Sequence, residues 1–449
     1  MWLVPTPTIR KISCNIFEYK KEFSIAITIL SGRQASNHSS HYLRRMEKSL
    51  SNQQLTEAAN EFGTPLYVYD AEKIESQLNE LKSGFAKTNA KFFYACKALA
   101  NINILKHIKQ LGANLDCVSI NEVRLGLQAG FLPEQILFTP NCVDFDEIEQ
   151  GKAFGVHINI DNISILELFG NKYGSAYPVC IRLNPHIMAG GNFKISTGHI
   201  DSKFGISIHQ LRHIERIVKT TKLDVRGLHM HTGSEIKDIH VFLAGLEVMF
   251  EAAHHFPNLE YIDLGSGFKV PYHDDDVRTD VYELGNKVAE AFEVYEKENG
   301  KKIEVWFEPG KFLVSEAGYF IVKANVIKQT TATVFVGVNS GFNHLIRPMF
   351  YEAYHRIENI SNPNGPERIY TVVGNICETD TFAWDRKLNE VREGDYLVFC
   401  NAGAYGFEMS SNFNSRQKPA EVLCKNNKMH LIRRRDGFED LLKNQVEVL

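Results

Sequence analysis

A chain of 449 residues, 44% hydrophobic and 23% charged with a formal net charge of −4, has the make-up of a globular protein of two or three domains. With no Lys/Arg block interleaved with aromatics, it offers no basic field to a polyanion, which argues against a nucleic-acid partner. Eight cysteines stand at 14, 96, 117, 142, 180, 377, 400 and 424 without a Cys-x-x-Cys pair, so neither a zinc cluster nor a disulfide framework is indicated. A reducing, cytoplasmic setting is expected, and no apolar stretch approaches the ~20 residues of a membrane span.

Residues 1–45 are basic and aperiodic, with one short apolar run, Phe23 to Leu30, that leads into Ser31-Gly32-Arg33-Gln34 rather than a signal cleavage site. They read as an N-terminal extension outside the fold. Segment 46–75 reads as a lead-in whose Pro65–Tyr69 run adds a strand to a later β domain. From 76 to 318 short β-branched runs alternate with helix-period segments, the pattern of repeated βα units. The runs are Phe92–Cys96, Leu115–Ser119, Ile136–Pro140, His157–Asp161, Val179–Asn184, Gly227–His231, Tyr261–Gly265 and Val305–Glu308. Segments Ile102–Leu111, Ile120–Ala129 and Val241–His254 carry apolar residues at three and four spacing, as crossover helices do.

Eight such strands close into a (β/α)8 TIM-type barrel, whose active site is built at the strands' carboxyl ends. The polar residues fall there: Lys97 after the first, Asp116 and Ser119 at the second, Arg182 and Asn184 at the fifth, His229 and His231 at the sixth. Lys97 closes the apolar run Lys91-Phe92-Phe93-Tyr94-Ala95-Cys96; desolvation there is expected to lower its pKa and free the amine for Schiff-base chemistry. Glycine loops follow strands seven and eight, Leu264-Gly265-Ser266-Gly267-Phe268 and Glu308-Pro309-Gly310-Lys311, where such barrels commonly hold a phosphate on backbone N–H groups. A reactive lysine opposite a phosphate cradle points to pyridoxal phosphate, with Glu308 as the carboxylate partner of its ring nitrogen. His231 is placed flat against the ring, and Ser234 at the phosphate. The His229-Met230-His231 spacing also invites a metal, but the reading assigns none, for want of a carboxylate and a third histidine at matching strand ends.

Residues 319–449 change to strands without helical spacers, Tyr319–Ile327, Thr333–Val338, Tyr370–Asn375, Tyr396–Asn401 and Ala420–Leu423, and read as an antiparallel β domain. Polar clusters interrupt these strands at Arg347–Tyr351, at Cys377-Glu378-Thr379-Asp380 and at Asn401–Gly406.

Taken together, Tyr94-Ala95-Cys96-Lys97-Ala98, Asp201-Ser202-Lys203-Phe204-Gly205, Gly227 to Ser234, the Gly265–Gly267 turn, Glu308-Pro309-Gly310, Arg347-Pro348 with Tyr351, Cys377-Glu378 and Gly403-Ala404-Tyr405-Gly406-Phe407 resemble the fold-type III, alanine-racemase-like family of PLP-dependent decarboxylases. The resemblance covers about residues 50 to 430 and is nearest to members acting on meso-diaminopimelate, as the tail Met409 to Arg416 also suggests. It implies decarboxylation of that amino acid to L-lysine and CO2, with Lys97 holding the cofactor, His231 stacked on it, Glu308 at its nitrogen, and Ser234, Gly267, Gly310 and Tyr405 at its phosphate. It further implies that Arg347 and Tyr351 grip the substrate's distal carboxylate and Glu378 its distal amine, and that Cys377 and Glu378 come from the second subunit of a homodimer. The proton returned to the substrate carbon would come from Lys97 or Cys377. Lys311 stands where the family usually has arginine; it keeps the charge but loses the two-pronged grip on a carboxylate.

Competing readings are a polyamine-pathway decarboxylase acting on carboxynorspermidine, ornithine or arginine, against which Arg347-Pro348 and Tyr351 speak, and a cofactor-free regulatory homologue, which has no reason to keep Lys97, Glu308, Cys377 and Tyr405 together. Limited proteolysis is expected to trim residues 1–45 with turnover intact; turnover lost with that segment would place it inside the working fold.

Overall fold

The structure, a computed structural model, describes residues 48–187, 201–233 and 238–449. The chain divides into two units, Met1–Arg44 and Arg45–Leu449. The first lies wholly outside the described residues, so the expectation of an extension is not addressed by them, and all that follows concerns the second. Ser234 also lies outside the described residues.

A first strand, β1 (Leu66–Asp70), precedes a run of parallel strands: β2 (Lys91–Ala95), β3 (Asn114–Cys117), β4 (Ile136–Phe138), β5 (His157–Ile160), β6 (Val179–Asn184), the two-residue β7 (Ile206–Ser207), β8 (Val225–His229), β9 (Tyr261–Asp263) and β10 (Glu304–Phe307). Their pairing order is β5-β4-β3-β2-β10-β9-β8-β6, and β5 pairs with β6, so eight strands close into the expected barrel, with β7 pairing beside β6. The short βα turns follow from local chemistry. Ser119, Asp144, Asn162 and Asp280 each accept a backbone N–H at the start of the helix that follows, and Gly130, Gly155 and Gly300 end three of those helices in the left-handed conformation. Ser119, read from sequence as a rim residue, is therefore a helix cap.

The barrel's two ends differ in kind. At the amino end Phe93, Leu137, Cys180, Tyr261 and Trp306 form a packed plug, with the Tyr261 and Trp306 rings stacked 3.5 Å apart. Gly227 is required there, because a Cβ at that position would lie 2.2 Å from the Tyr261 ring. An open cavity of about 720 Å³ lies outside this plug, lined by Lys91, His157, Glu260, Lys301 and Glu304 among others, far along the strands from the polar rim.

The remaining strands are β11 (Gly318–Gln329), β12 (Val334–Val338), β13 (Ile357–Asn359), β14 (Glu367–Val373), β15 (Thr381–Asn389), β16 (Tyr396–Phe399), β17 (Ala420–Lys425) and β18 (Lys428–Arg433). They form a separate β domain that β1 completes by pairing antiparallel with β11 and parallel with β17. β12 and β14 are also parallel, so the sheet is mixed rather than antiparallel throughout. Because β1 comes from the start of the chain and β17 from its end, the sheet clamps both sides of the barrel segment. Among the described residues no helix is long and apolar enough to cross a membrane.

The seam between the two parts is a buried carboxylate. Glu421 on β17 is inaccessible to solvent; it accepts hydrogen bonds from Tyr69 Oη on β1 (2.7 Å) and from Asn101 Nδ2, the cap of the helix Ile102–Gln110 (3.0 Å), and it pairs with Arg433 on β18. Removing a carboxylate with three partners strands all three, whereas removing one phenol strands only an oxygen. Glu421→Ala is expected to lower unfolding stability by roughly 3 kcal/mol and Tyr69→Phe by about 1 kcal/mol, read from urea midpoints. Equal small losses would mean that the carboxylate is not the hub.

Candidate active site

Lys97 sits in the single turn Cys96–Ala98 that ends β2, and its side chain is 41% accessible while its neighbours Cys96 and Ala98 are buried. The turn is pinned from both parts of the fold. Ala95 N donates to Pro309 O (3.2 Å), Tyr405 N donates to Ala98 O (2.9 Å), and Ala100 N donates to Glu408 Oε1 (2.8 Å). Gly310 packs against this turn so closely that a Cβ would lie 3.0 Å from Ala95 Cβ and 3.2 Å from Ala98 Cβ. Tyr405 holds a left-handed backbone (φ 57), a conformation costly for a tyrosine and kept here by its bond to the lysine turn.

Barrel closure places β10 beside β2 and β2 beside β3, which brings Glu308, Lys97 and Asp116 together although 211 residues separate the first two in sequence. Lys97 Nζ lies 3.6 Å from Asp116 Oδ2. Burial works to lower the pKa of this ammonium, but Asp116, Tyr405 and Glu308 outweigh it and raise the pKa above its ordinary value. The sequence expectation of a lowered pKa is thus corrected: three-dimensional closure supplies carboxylates that a strand-end lysine does not reveal. Asp116 responds in turn. Burial, then the charge of Glu308, push its carboxyl up to about 8, against the opposing pull of Lys97 and the Thr139 hydroxyl.

Glu308 accepts a hydrogen bond at Oε2 from His229 Nε2 (3.1 Å). Burial works against its charge, yet His229 and the Lys97 ammonium hold its pKa down at about 2, so it is a carboxylate. Its second oxygen, Oε1, is buried and unpartnered among the described residues. A buried anionic oxygen with no donor is costly, and a protonated ring nitrogen is the type of group that would satisfy it. Behind it, Asp263 Oδ1 accepts from Gly265 N (2.8 Å), and Glu308 N donates to Gly265 O (2.7 Å), locking the two loops together. His231 Nδ1 accepts from Ser266 N (3.2 Å), and Gly265 leaves room for the ring, since a Cβ there would come within 2.6 Å of Nδ1. Burial, then Arg182 and Lys97, lower the His231 pKa to about 3, so the imidazole is neutral. Gly265 and Gly267 both have positive φ (63 and 118), the left-handed region that glycine enters freely, and within this turn the Gly265 and Ser266 N–H groups are already held by Asp263 and His231.

His229, Asp263 and Glu308 have ligand atoms within 4.8 Å of one another. Carboxylates at matching strand ends, one half of what the sequence was found to want for a metal, are therefore present, which corrects that half; the third histidine is not in this group. His229 donates to Glu308, and Asp263 accepts from the N–H of Gly265, whose carbonyl accepts from Glu308 N, so both groups help to hold Glu308 in place.

Arg347 and Tyr351 begin and end a short helix, Arg347–Tyr351. Arg347 is buried and Tyr351 half-buried. Lys311 and Arg347 both lie near one ring, with Lys311 Nζ 5.9 Å and Arg347 Cζ 5.0 Å from the centroid of Tyr272. Cys377 and Glu378 are exposed on a loop where Cys377 Sγ accepts from Asn414 Nδ2 (3.3 Å); no contact within the described chain brings either to Lys97. Sequence reasoning missed Tyr272, His355 and Asp263. The first two lie in irregular segments with no periodicity to flag them, whereas Asp263 ends a strand and was legible by the rule that found Asp116.

The chain is similar to known proteins over most of its length. Residues 71–315 match the family model of the pyridoxal-dependent decarboxylase, pyridoxal binding domain. The chain is 37% identical to diaminopimelate decarboxylase of Methanothermobacter thermautotrophicus over 87% of this chain and 93% of that one, and 33% identical to that of Campylobacter jejuni over 87% and 98%. The solved structure of diaminopimelate decarboxylase from Helicobacter pylori complexed with L-lysine superposes with a TM-score of 0.80 at 30% identity, covering 87% of this chain and 98% of that one. Similar over most of its length to diaminopimelate decarboxylases, and with a lysine, a buried carboxylate and glycine loops on one barrel rim, the chain belongs to that family of fold-type III pyridoxal-phosphate-dependent carboxy-lyases.

Proposed function

We propose that Lys97 Nζ is the point of covalent attachment of pyridoxal phosphate, and that the surrounding residues hold meso-diaminopimelate for loss of one carboxylate to give L-lysine and CO2. When bound, the cofactor supplies an electron sink for the pair left behind as CO2 departs. Glu308 keeps a proton on the ring nitrogen through Oε1, and the neutral His231 ring lies against the cofactor without adding a charge that would oppose it. Gly265, Gly267, Gly310, Ser234 and Tyr405 bind the phosphate, and Arg347, Tyr351 and Lys311 hold the distal carboxylate.

The observation that carries this reading is one accessible amine between two buried acid groups: Asp116 at 3.6 Å from Lys97 Nζ, and Glu308 with an unpartnered oxygen. As a free amine Lys97 would be held protonated by Asp116, Tyr405 and Glu308 together, which suits it to return a proton to the substrate carbon. Cys377 is the other candidate donor. Its exposure beside Glu378, on a loop away from Lys97, favours delivery of both by a second copy of the chain, so the working unit is read as a homodimer with shared sites. The seven described cysteines are free thiols, which supports a cytoplasmic setting. Residues 46–75, 76–318 and 319–449 are read as lead-in, cofactor barrel and β domain.

Incubation with meso-diaminopimelate is expected to yield lysine and CO2 in equal amounts; CO2 from ornithine, arginine or carboxynorspermidine instead would favour the polyamine reading. Lys97→Ala should abolish both the cofactor's visible absorbance and turnover. Because the Asp116 charge raises the Lys97 pKa, Asp116→Asn should lower it, so that reloading of cofactor-stripped protein becomes half-maximal at a lower pH than in the parent. An unchanged or higher midpoint would remove Asp116 from control of the amine.

A further inference from the structure

Arg347 is buried, 7% exposed, yet among the described residues no carboxylate pairs with it. Its charge is met instead by two neutral groups on one nitrogen. Nη1 donates to Tyr272 Oη (3.0 Å) and to His355 Nε2 (3.2 Å). The His355 tautomer is fixed by its other nitrogen, because Nδ1 lies 2.9 Å from Cys400 O and a carbonyl can only accept, leaving Nε2 as a lone pair aimed at the guanidinium. Burial, then the Arg347 charge, lower the His355 pKa to about 3, which keeps the ring neutral. Tyr272 is held equally firmly: its oxygen also meets Ser315 Oγ (3.2 Å), and its backbone N–H donates to Asp276 Oδ2 (2.9 Å), the carboxylate that pairs with Lys269.

We propose that His355 and Tyr272 are positioning residues that occupy Nη1 of Arg347, so that its Nε–Nη2 edge is presented as a two-pronged, uncompensated cation to the distal carboxylate of the substrate. The proposal rests on the reading of Arg347 as the distal-carboxylate site and adds how that site is aimed and kept charged. The physical logic is that an acidic partner would hold the arginine equally well but neutralise it, whereas two neutral acceptors fix its orientation and leave the full charge for a ligand anion. Lys311, whose Nζ is 5.9 Å from the Tyr272 ring centroid, has a flexible stem and a point charge, so directional recognition falls to Arg347. Neither His355 nor Tyr272 is placed at the reacting carbon, and the effect is therefore one of binding.

Steady-state kinetics with meso-diaminopimelate on the full-length holoenzyme separate the roles. His355→Leu is expected to raise KM about 10- to 100-fold, the scale of a hydrogen bond to a charged group, with kcat changed by less than about 3-fold. Tyr272→Phe should raise KM several-fold. His355→Gln, whose amide can both donate to Cys400 O and accept from Arg347, should return KM to within about 5-fold of the parent. Retained cofactor absorbance identifies folded variants; if His355→Leu fails to fold, Tyr272→Phe and His355→Gln carry the test. If Arg347→Met raises KM while His355→Leu and Tyr272→Phe leave it unchanged, the positioning role is wrong and the distal-carboxylate reading stands. An unchanged KM in Arg347→Met would overturn that reading itself. A fall in kcat at constant KM in the His355 and Tyr272 variants would also contradict the proposal.

Discussion

The structure depends on an amine held among carboxylates that cannot be solvated. Asp116, Asp263 and Glu308 are buried at the barrel rim, and Lys97 and Arg182 are the cations that face them. Charges in such a place interact more strongly than in water, and each is costly to leave unmatched. The lysine is therefore charged by its surroundings while its side chain stays reachable. Part of the negative charge, the free oxygen of Glu308, lacks a hydrogen-bond partner among the described residues. This incomplete neutralisation marks the rim as a place built for a ligand that brings its own donor.

Topology supplies that arrangement. In an open sheet the first and last strands lie apart; in the closed barrel Phe307 on β10 pairs with Phe92 on β2, and Ala95 pairs with Asp116 on β3. Trp306 and His229 both register with Asp263 on β9. Consecutive neighbours β3, β2, β10, β9 and β8 thus deliver Asp116, Lys97, Glu308, Asp263 and the two histidines in order around the rim. The aromatic plug at the opposite end fixes the strand spacing on which this register relies. The β domain then closes on the lysine turn through Tyr405 and Glu408, while Glu421 secures that domain to both β1 and the first barrel helix after Lys97.

Much of this was legible in the sequence because the barrel strands are short apolar runs separated by amphipathic helices, and because a closed βα barrel places functional residues at predictable ends. All eight barrel strands fall where the periodicity sets them, within a few residues. The β domain was harder to read. Strand Thr381–Asn389 carries Asp385, Arg386 and Lys387, and Lys428–Arg433 is largely exposed, so neither shows the alternation of a half-buried strand. The parallel pairing of β1 with β17 joins segments 354 positions apart, which local pattern cannot express. Within the site, residue identities were readable but their energetics were not: the direction of the Lys97 pKa shift depends on which carboxylates closure brings near. Tyr272 and His355 escaped for a related reason, since they act on another side chain and belong to no motif.

The central claim is that Lys97, and no other of the chain's lysines, is the amine on which the cofactor is held. Borohydride reduction of the yellow protein, followed by proteolytic digestion and mass spectrometry, tests it directly. The account predicts a reduced pyridoxyl group on the peptide containing Lys97 alone; the label on a different lysine, or its absence from that peptide, would contradict it.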